Sequence, residues 1–417
     1  MTLWTPPPRT AEAAALYAAA EQDRTARPER YRLGAAEADA VVARAIRGMD
    51  DGRDLLGDTS QWRDGLERFL GSAAEDGGLN AVGARTARGT AVARLRARIS
   101  MGRHLARHPE TTGRPILPPI VIVGGWRTGT TFLFRLLATD PRLRAPLPAE
   151  LGSPWRFAGV TGPERENLLD AASGAHDVLH HLNPALASVH DSGARLPEEC
   201  VLAMGTDFRN WGFSSTMRLD GYTRWLAEQN LAGSYARYRE ILQTLDAGDG
   251  RRWVLKAPAH TPELSRLAAA FPGACIVHLH RDVVETVASG ASLFAVFRST
   301  YSDEVDARDV GRFQAGQTER WLRRAAAFRE SPAASRVTVL DVRYRDLVSA
   351  TAAALRRIYA AAEIDAPADV GGMIERYHAD RPRHAKGVHR YSAADFGLDE
   401  DDLRSRFEFY EPFVTDQ

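Results

Sequence analysis

Cysteine and lysine are almost missing from this 417-residue chain, which has two of each. Cys200 and Cys275 are too few for a disulfide framework, and without a CxxC or a Cys/His cluster they do not suggest a zinc site. A reducing compartment is the expected home. Net charge is missing as well: Lys+Arg and Asp+Glu both total 54, so no global basic field attracts nucleic acid or acidic lipid, and any bound anion must be met locally. No run approaches the roughly 18 apolar residues of a membrane helix. The first nine residues lack the cationic start and apolar stretch of a signal peptide. The chain is therefore expected to be soluble and cytoplasmic.

What is present is an ordinary globular composition, 44% hydrophobic and 26% charged, which excludes a disordered or fibrous chain. Residues 11–107 are rich in Ala, Arg, Glu and Leu, with apolar positions at helical spacing (Leu66, Phe69, Leu70; Val92, Leu95). This predicts a helical N-terminal region over 1–112, closed by the proline-bearing stretch 108–119. The texture then changes to Ile120-Val-Ile-Val123, a β-branched run suited to a buried parallel strand. Further on, strand-like 253–256, 275–279 and 336–342 alternate with helical 261–270, 283–293 and 349–361. That alternation predicts an α/β fold over 113–417, a parallel sheet flanked by helices. Residues 151–250 read as a mostly helical insertion over the strand ends, where such folds place their substrates. The polar stretch 381–417 reads as a tail.

Directly after the first strand stands Gly124-Gly-Trp-Arg-Thr-Gly-Thr-Thr131, followed by the helical Phe132-Leu-Phe-Arg-Leu-Leu-Ala138. Strand, glycine-bearing loop and helix form the geometry in which free backbone N–H groups and a positive helix end meet an anion. Against the G-x-x-x-x-G-K-[ST] pattern, Gly124, Gly129 and Thr131 fit, but Thr130 holds the lysine position and Arg127 precedes Gly129. A nucleotide kinase with a degenerate loop is the rival reading. It lacks both the loop lysine and an unambiguous strand-end carboxylate for Mg²⁺. A non-catalytic nucleotide-binding protein is a second rival. At the next junction, His278-Leu-His-Arg281-Asp282 leads to Ser289, just over two helical turns later, so that Arg281 and Ser289 can reach one ligand. The forked guanidinium suits a terminal phosphate. The plain alternative is a structural salt bridge at Arg281 and helix surface at Ser289.

Together, the Arg127-Thr-Gly-Thr-Thr131 loop and the Arg281…Ser289 pair resemble the sulfotransferases that use 3′-phosphoadenosine 5′-phosphosulfate (PAPS). Leu255-Lys256-Ala-Pro258, Phe271-Pro-Gly273, Val342-Arg-Tyr344-Arg345-Asp-Leu347 and His384-Ala-Lys386-Gly387-Val-His389 resemble further segments of that family. The branch resembled is the bacterial and tyrosylprotein type, with arginine in the loop. Arg345 departs from it, standing where an acid is usual.

The resemblance implies a P-loop-type sheet, sulfuryl transfer from PAPS and no metal. The acceptor would be a hydroxyl of a small molecule, lipid or glycan. Arg127, Thr128, Gly129, Thr130 and Thr131 would hold the 5′-phosphosulfate, and Arg281 and Ser289 the 3′-phosphate. Tyr344 would lie by the nucleotide, and Lys386 and Gly387 in a loop closing on the donor. Lys256, at a strand end, would donate to the transferring group. The general base would be a glutamate about twenty residues after the loop, which is Glu150. Glu198, Glu199, His180, His181 and His190 are its rivals, and Trp155 would line the acceptor pocket.

Overall fold

The computed structural model describes residues 3–190, 192–381 and 391–414, excluding the side chains of 175–177. Five parallel strands form one sheet: β1 (Ile120–Gly124), β2 (Leu143–Arg144), β3 (Arg252–Lys256), β4 (Cys275–His280) and β5 (Thr338–Arg343), in the order β2-β3-β1-β4-β5. Successive side chains of a strand point to opposite faces, and β1 does this with an unbroken apolar run. Ile120 and Ile122 join one buried cluster with Leu133, Leu137 and Ile358, while Val121 and Val123 join the other with Leu255 and Phe294. Both faces are thus covered by helices, as an all-parallel sheet requires.

The N-terminal stretch forms helices including Ala11–Ala26, Ala38–Ile46, Arg63–Glu75 and the 27-residue Ala81–Arg107. Between β2 and β3 lie the helices Gly162–Leu182, Asp220–Ala227 and Ala232–Leu245 with several single turns. Three local expectations change. The strand expected over 336–342 starts at Thr338, because Pro332–Arg336 forms a 3₁₀ turn. The helix expected from Thr261 starts at Leu264, since Pro258–Glu263 is also 3₁₀ and Pro262 has no N–H to give an α-helix. The helix after β4 runs over Val283–Tyr301, well past residue 293, with no breaker to end it sooner.

This topology sets the functional geometry. The carboxyl ends of β3, β1 and β4 are neighbours, with Ile122 opposite Lys256 and Gly124 opposite Leu279. Strands lie about 4.8 Å apart, so Lys256 and Arg281 emerge on either side of the β1 loop.

Candidate active site

The loop after β1 is held in shape by its glycines and by what lies behind them. Gly124 has φ +141°, and a Cβ there would lie 2.5 Å from the Leu279 carbonyl of the adjacent strand. Gly129 has φ +91°, and a Cβ would crowd Leu347 and the Tyr344 ring at 3.0 and 3.2 Å. Trp126 buries its ring against Phe294 and Trp321, anchoring the loop in the core. The Thr128 hydroxyl donates to the Gly125 carbonyl at 2.9 Å. Arg127 adopts φ +59°, a region that costs a non-glycine residue energy and persists only where the surroundings enforce it. Its carbonyl accepts from Arg281 Nη1 at 2.8 Å, so the second motif pins the first. The Arg127 side chain stays exposed, with Nη1 3.4 Å from the Val189 carbonyl. Helix Thr130–Leu137 begins here, and its first-turn N–H groups have no partner within the helix.

Arg281 sits where β4 ends and helix Val283–Tyr301 starts. The Asp282 carboxylate caps that helix by accepting from the Glu285 N–H at 3.0 Å, a contact worth about 1 kcal/mol. The Arg281 guanidinium pairs with Glu285 and stacks 4.4 Å from the centre of the Tyr344 ring. Ser289 is 2% exposed and is not part of the cleft wall. Arg345 pairs with its neighbour Asp346 at 3.3 Å and stands outside the cleft.

On the other side of the loop, Lys256 is 1% exposed. Its ammonium donates to Glu199 Oε1 at 2.7 Å and to Thr131 Oγ1 at 3.2 Å. Glu198, next in the chain, meets His190 Nε2 at 3.2 Å and accepts from the Glu199 N–H at 2.8 Å. Burial disfavours a charged His190, but the Glu198 carboxylate outweighs it and holds the imidazole above its usual value of 6.5. For Glu198, burial pushes upward, whereas His190 and Lys256 pull harder and hold its carboxyl well below the usual range.

These groups surround one cleft of about 530 Å³. Arg127, Gly129, Thr130, Thr131, Arg281 and Tyr344 line it from the sheet side, and Val189, His190 and Glu199 from the insertion. Lys256 lies beneath Thr131 and Glu199. Sequence reasoning missed the part of the wall formed by Tyr377, His378 and Arg381 from helix Val370–Asp380 and its cap, where only an arginine-bearing helix end could have drawn attention. Lys386 and Gly387 lie outside the described residues.

Glu150 is placed differently. It is 1% exposed, its Oε2 accepts from the Leu147 N–H at 2.9 Å, and its Oε1 accepts from Arg165 at 2.8 Å. Arg144 approaches the same oxygen at 3.7 Å. It faces a neighbouring cavity rather than the cleft. His180 and His181 are not part of the cleft wall, and Trp155 lines a separate small pocket with Arg98 and Leu105.

His278, His280 and Asp341 are the one group of described residues spaced to hold a metal ion. Arg329 already fills that place, donating to Asp341 Oδ2 at 2.7 Å and lying 3.2 Å from His278 Nδ1. Among the described residues no helix is long and apolar enough to cross a membrane.

The chain is similar to omega-hydroxy-beta-dihydromenaquinone-9 sulfotransferase Stf3 of Mycobacterium bovis and of Mycobacterium tuberculosis. Identity is 28% over 177 residues, 40% of this chain and 42% of theirs. The match thus spans about two-fifths of the length of those curated relatives. The solved structure of sulfotransferase STF1 from Mycobacterium tuberculosis superposes with a TM-score of 0.74 at 27% identity, covering 88% of this chain and 97% of that one. The fold of sulfotransferase STF9 from Mycobacterium avium agrees at a TM-score of 0.76 and 23% identity, covering 91% and 97%. Residues 118–368, which hold the β1 loop, Lys256, Arg281 and Tyr344, match the sulfotransferase family, and the chain belongs to that family.

Proposed function

We propose that the chain moves a sulfuryl group from PAPS to the hydroxyl of a small-molecule, lipid or glycan acceptor. The observation that carries this reading is that Arg127 and Arg281 line one cleft from the ends of β1 and β4, while Lys256, at the end of the adjacent β3, is held directly behind that wall by Thr131 and Glu199. Cations in that arrangement suit a donor with phosphate at one end and phosphosulfate at the other. The name of the Stf3 relative, which specifies a hydroxylated menaquinone, favours a lipid-like alcohol among the acceptors. Two buried free thiols fit a reducing, cytoplasmic setting.

In this reading Arg127 and the first-turn amides of helix Thr130–Leu137 hold the 5′-phosphosulfate, with Thr128 keeping the loop in shape. Arg281, braced by Tyr344, takes the 3′-phosphate. Ser289 is expected to assist from the helix behind it, and Lys386 and Gly387 to close over the donor. Lys256 donates to the oxygen bridging phosphorus and sulfur as that bond breaks and charge builds on the leaving phosphate. The acceptor oxygen forms the new bond to sulfur, and its proton passes to a carboxylate.

Glu199 is the carboxylate whose position favours that role. It lines the cleft and shares Lys256 with Thr131, so a lysine drawn to the donor leaves Glu199 free to accept the proton. Glu150, the base expected from the sequence, has both oxygens engaged and supports the neighbouring wall instead. The cationic side chains supply the charge compensation that kinases obtain from Mg²⁺. Incubation with ³⁵S-labelled PAPS and a panel of neutral, lipid and glycan alcohols tests the reading. Labelled product is expected. Binding of PAPS without transfer to any alcohol or to water would count against catalysis.

A further inference from the structure

Beside the donor cleft lies a second cavity of about 500 Å³ whose wall carries Arg135, Arg144, Arg165, Arg195, Arg251 and Arg381. Among the described residues, Glu150 and Glu166 alone supply carboxylates to the same wall. Arg144 and Arg165 share Glu150, and Arg165 and Arg195 share Glu166. Outside the wall, Asp170 takes Arg195 at 2.6 Å and Asp249 takes Arg251 at 2.7 Å. Among its described lining residues the wall carries six arginines and two carboxylates. Arg144 is stacked 4.5 Å from the centre of the Trp253 ring, with only 15% of its side chain exposed. Burial holds its pKa below the usual arginine value, the mark of a guanidinium poorly compensated for lost water.

The two cavities adjoin at three places. Arg381 lines both. Thr131 faces the cleft and Arg135 the second cavity from one helix, a single turn or about 6 Å apart. Pro197 lines the second cavity and Glu199 the cleft, two residues and no more than about 7 Å apart along the chain. The second cavity takes Arg144 from edge strand β2, which pairs with β3, the strand that ends in Lys256, whereas β4 and Arg281 lie on the other side of β1. A molecule occupying the second cavity would therefore point toward the sulfuryl group rather than the nucleotide's 3′-phosphate.

We propose that the arginine-lined cavity is a subsite for an anionic acceptor, an alcohol bearing a phosphate group, which it holds so that the hydroxyl reaches Glu199 and the sulfuryl position. The arginines of this wall outnumber its carboxylates, and guanidinium forks match the oxygens of a phosphate. The inference rests on the PAPS reading given above and names the acceptor chemistry for it.

The test is calorimetry on the chain saturated with desulfated donor (PAP), titrated in turn with glycerol 1-phosphate, glycerol and inorganic phosphate. Glycerol 1-phosphate is expected to bind at least about tenfold more tightly than glycerol, the scale of a charge-assisted hydrogen bond. It should also bind more tightly than inorganic phosphate. Arg195→Ala, at a half-exposed position, should weaken it by about tenfold, and Arg195→Lys by less. Equal binding of glycerol and glycerol 1-phosphate, or indifference to Arg195→Ala in a variant with an unaltered melting curve, overturns the subsite. Inorganic phosphate binding as tightly as glycerol 1-phosphate makes it a free-anion site and removes the acceptor assignment. If PAP itself does not bind, the donor reading fails and this inference falls with it. PAP binding with no second titration leaves the donor reading standing and refutes the subsite alone.

Discussion

Lys256→Met separates what Lys256 does for the fold from what it does for the reaction. The replacement keeps the unbranched side chain and nearly its volume, so the cavity contribution is small. What is lost is the charged hydrogen bond to Glu199 at 2.7 Å and the weaker one to Thr131 at 3.2 Å. Breaking a fully buried pair costs about 3–5 kcal/mol. The Glu199 side chain keeps 18% of its exposure and can recover water, which brings the cost toward about 2 kcal/mol. Adding Glu199→Gln removes the stranded carboxylate and should return most of that stability. Turnover behaves differently, because a preorganised donor to the leaving oxygen is worth roughly 10²–10³ in kcat. That loss should persist in the double variant, with PAP affinity changing far less. Urea denaturation and PAP release from PAPS measure the two effects. The reasoning is refuted if the single variant turns over within about threefold of the parent chain, or if the double variant recovers turnover along with stability.

Three further outcomes follow from the same geometry. Glu199→Gln should lower kcat by about 10²–10⁴ and also lower stability by about 1–3 kcal/mol, since it leaves the buried Lys256 ammonium only a neutral acceptor, while Glu150→Gln should lower the melting temperature with kcat little changed; a large loss of kcat in Glu150→Gln and none in Glu199→Gln would return the base to Glu150. Arg281→Ala should cut the preference for PAP over AMP, which lacks the 3′-phosphate, by about tenfold or more in paired calorimetric titrations; an unchanged ratio means Arg281 only braces the loop. In Glu198→Gln, burial is left as the main influence on His190, so its NMR-measured pKa should fall from above 6.5 to below it. Because the folded value is raised, the pair's contribution through His190 is complete below pH 6.5 and fades as pH rises through the folded value. The stability gap between parent and variant should therefore narrow with rising pH, and a constant gap would contradict the pairing.

The parts of the molecule legible in its sequence are those where one local rule decides. Ile120-Val-Ile-Val123 reads as a buried strand because it is apolar on both faces, and both faces are covered. The loop after it is readable because Gly124 and Gly129 are needed wherever φ is positive and neighbours press close. β2 has no such signal: Leu143–Arg144 is two residues long and is a strand only because β3 pairs with it. The rear wall of the cleft was illegible for a related reason. Tyr377, His378 and Arg381 lie almost a hundred residues from Arg281, and only the packing of helix Val370–Asp380 against helix Thr130–Leu137 brings them in. The choice between Glu150 and Glu199 also escaped the sequence. Both are glutamates near prolines, and they differ in partners: Arg165 and the Leu147 amide for one, Lys256 for the other.

If the cleft lined by Arg127 and Arg281 and backed by Lys256 is built for PAPS, it must prefer a nucleotide carrying a 3′-phosphate to ATP with Mg²⁺. Titrating the chain with PAP, and separately with ATP and Mg²⁺, tests it most directly. One-to-one binding of PAP is expected with Kd on the order of tens of micromolar or tighter, weakened by Arg281→Ala, and ATP with Mg²⁺ should bind much more weakly. No measurable heat with PAP, or tighter binding of ATP with Mg²⁺ than of PAP, would contradict it.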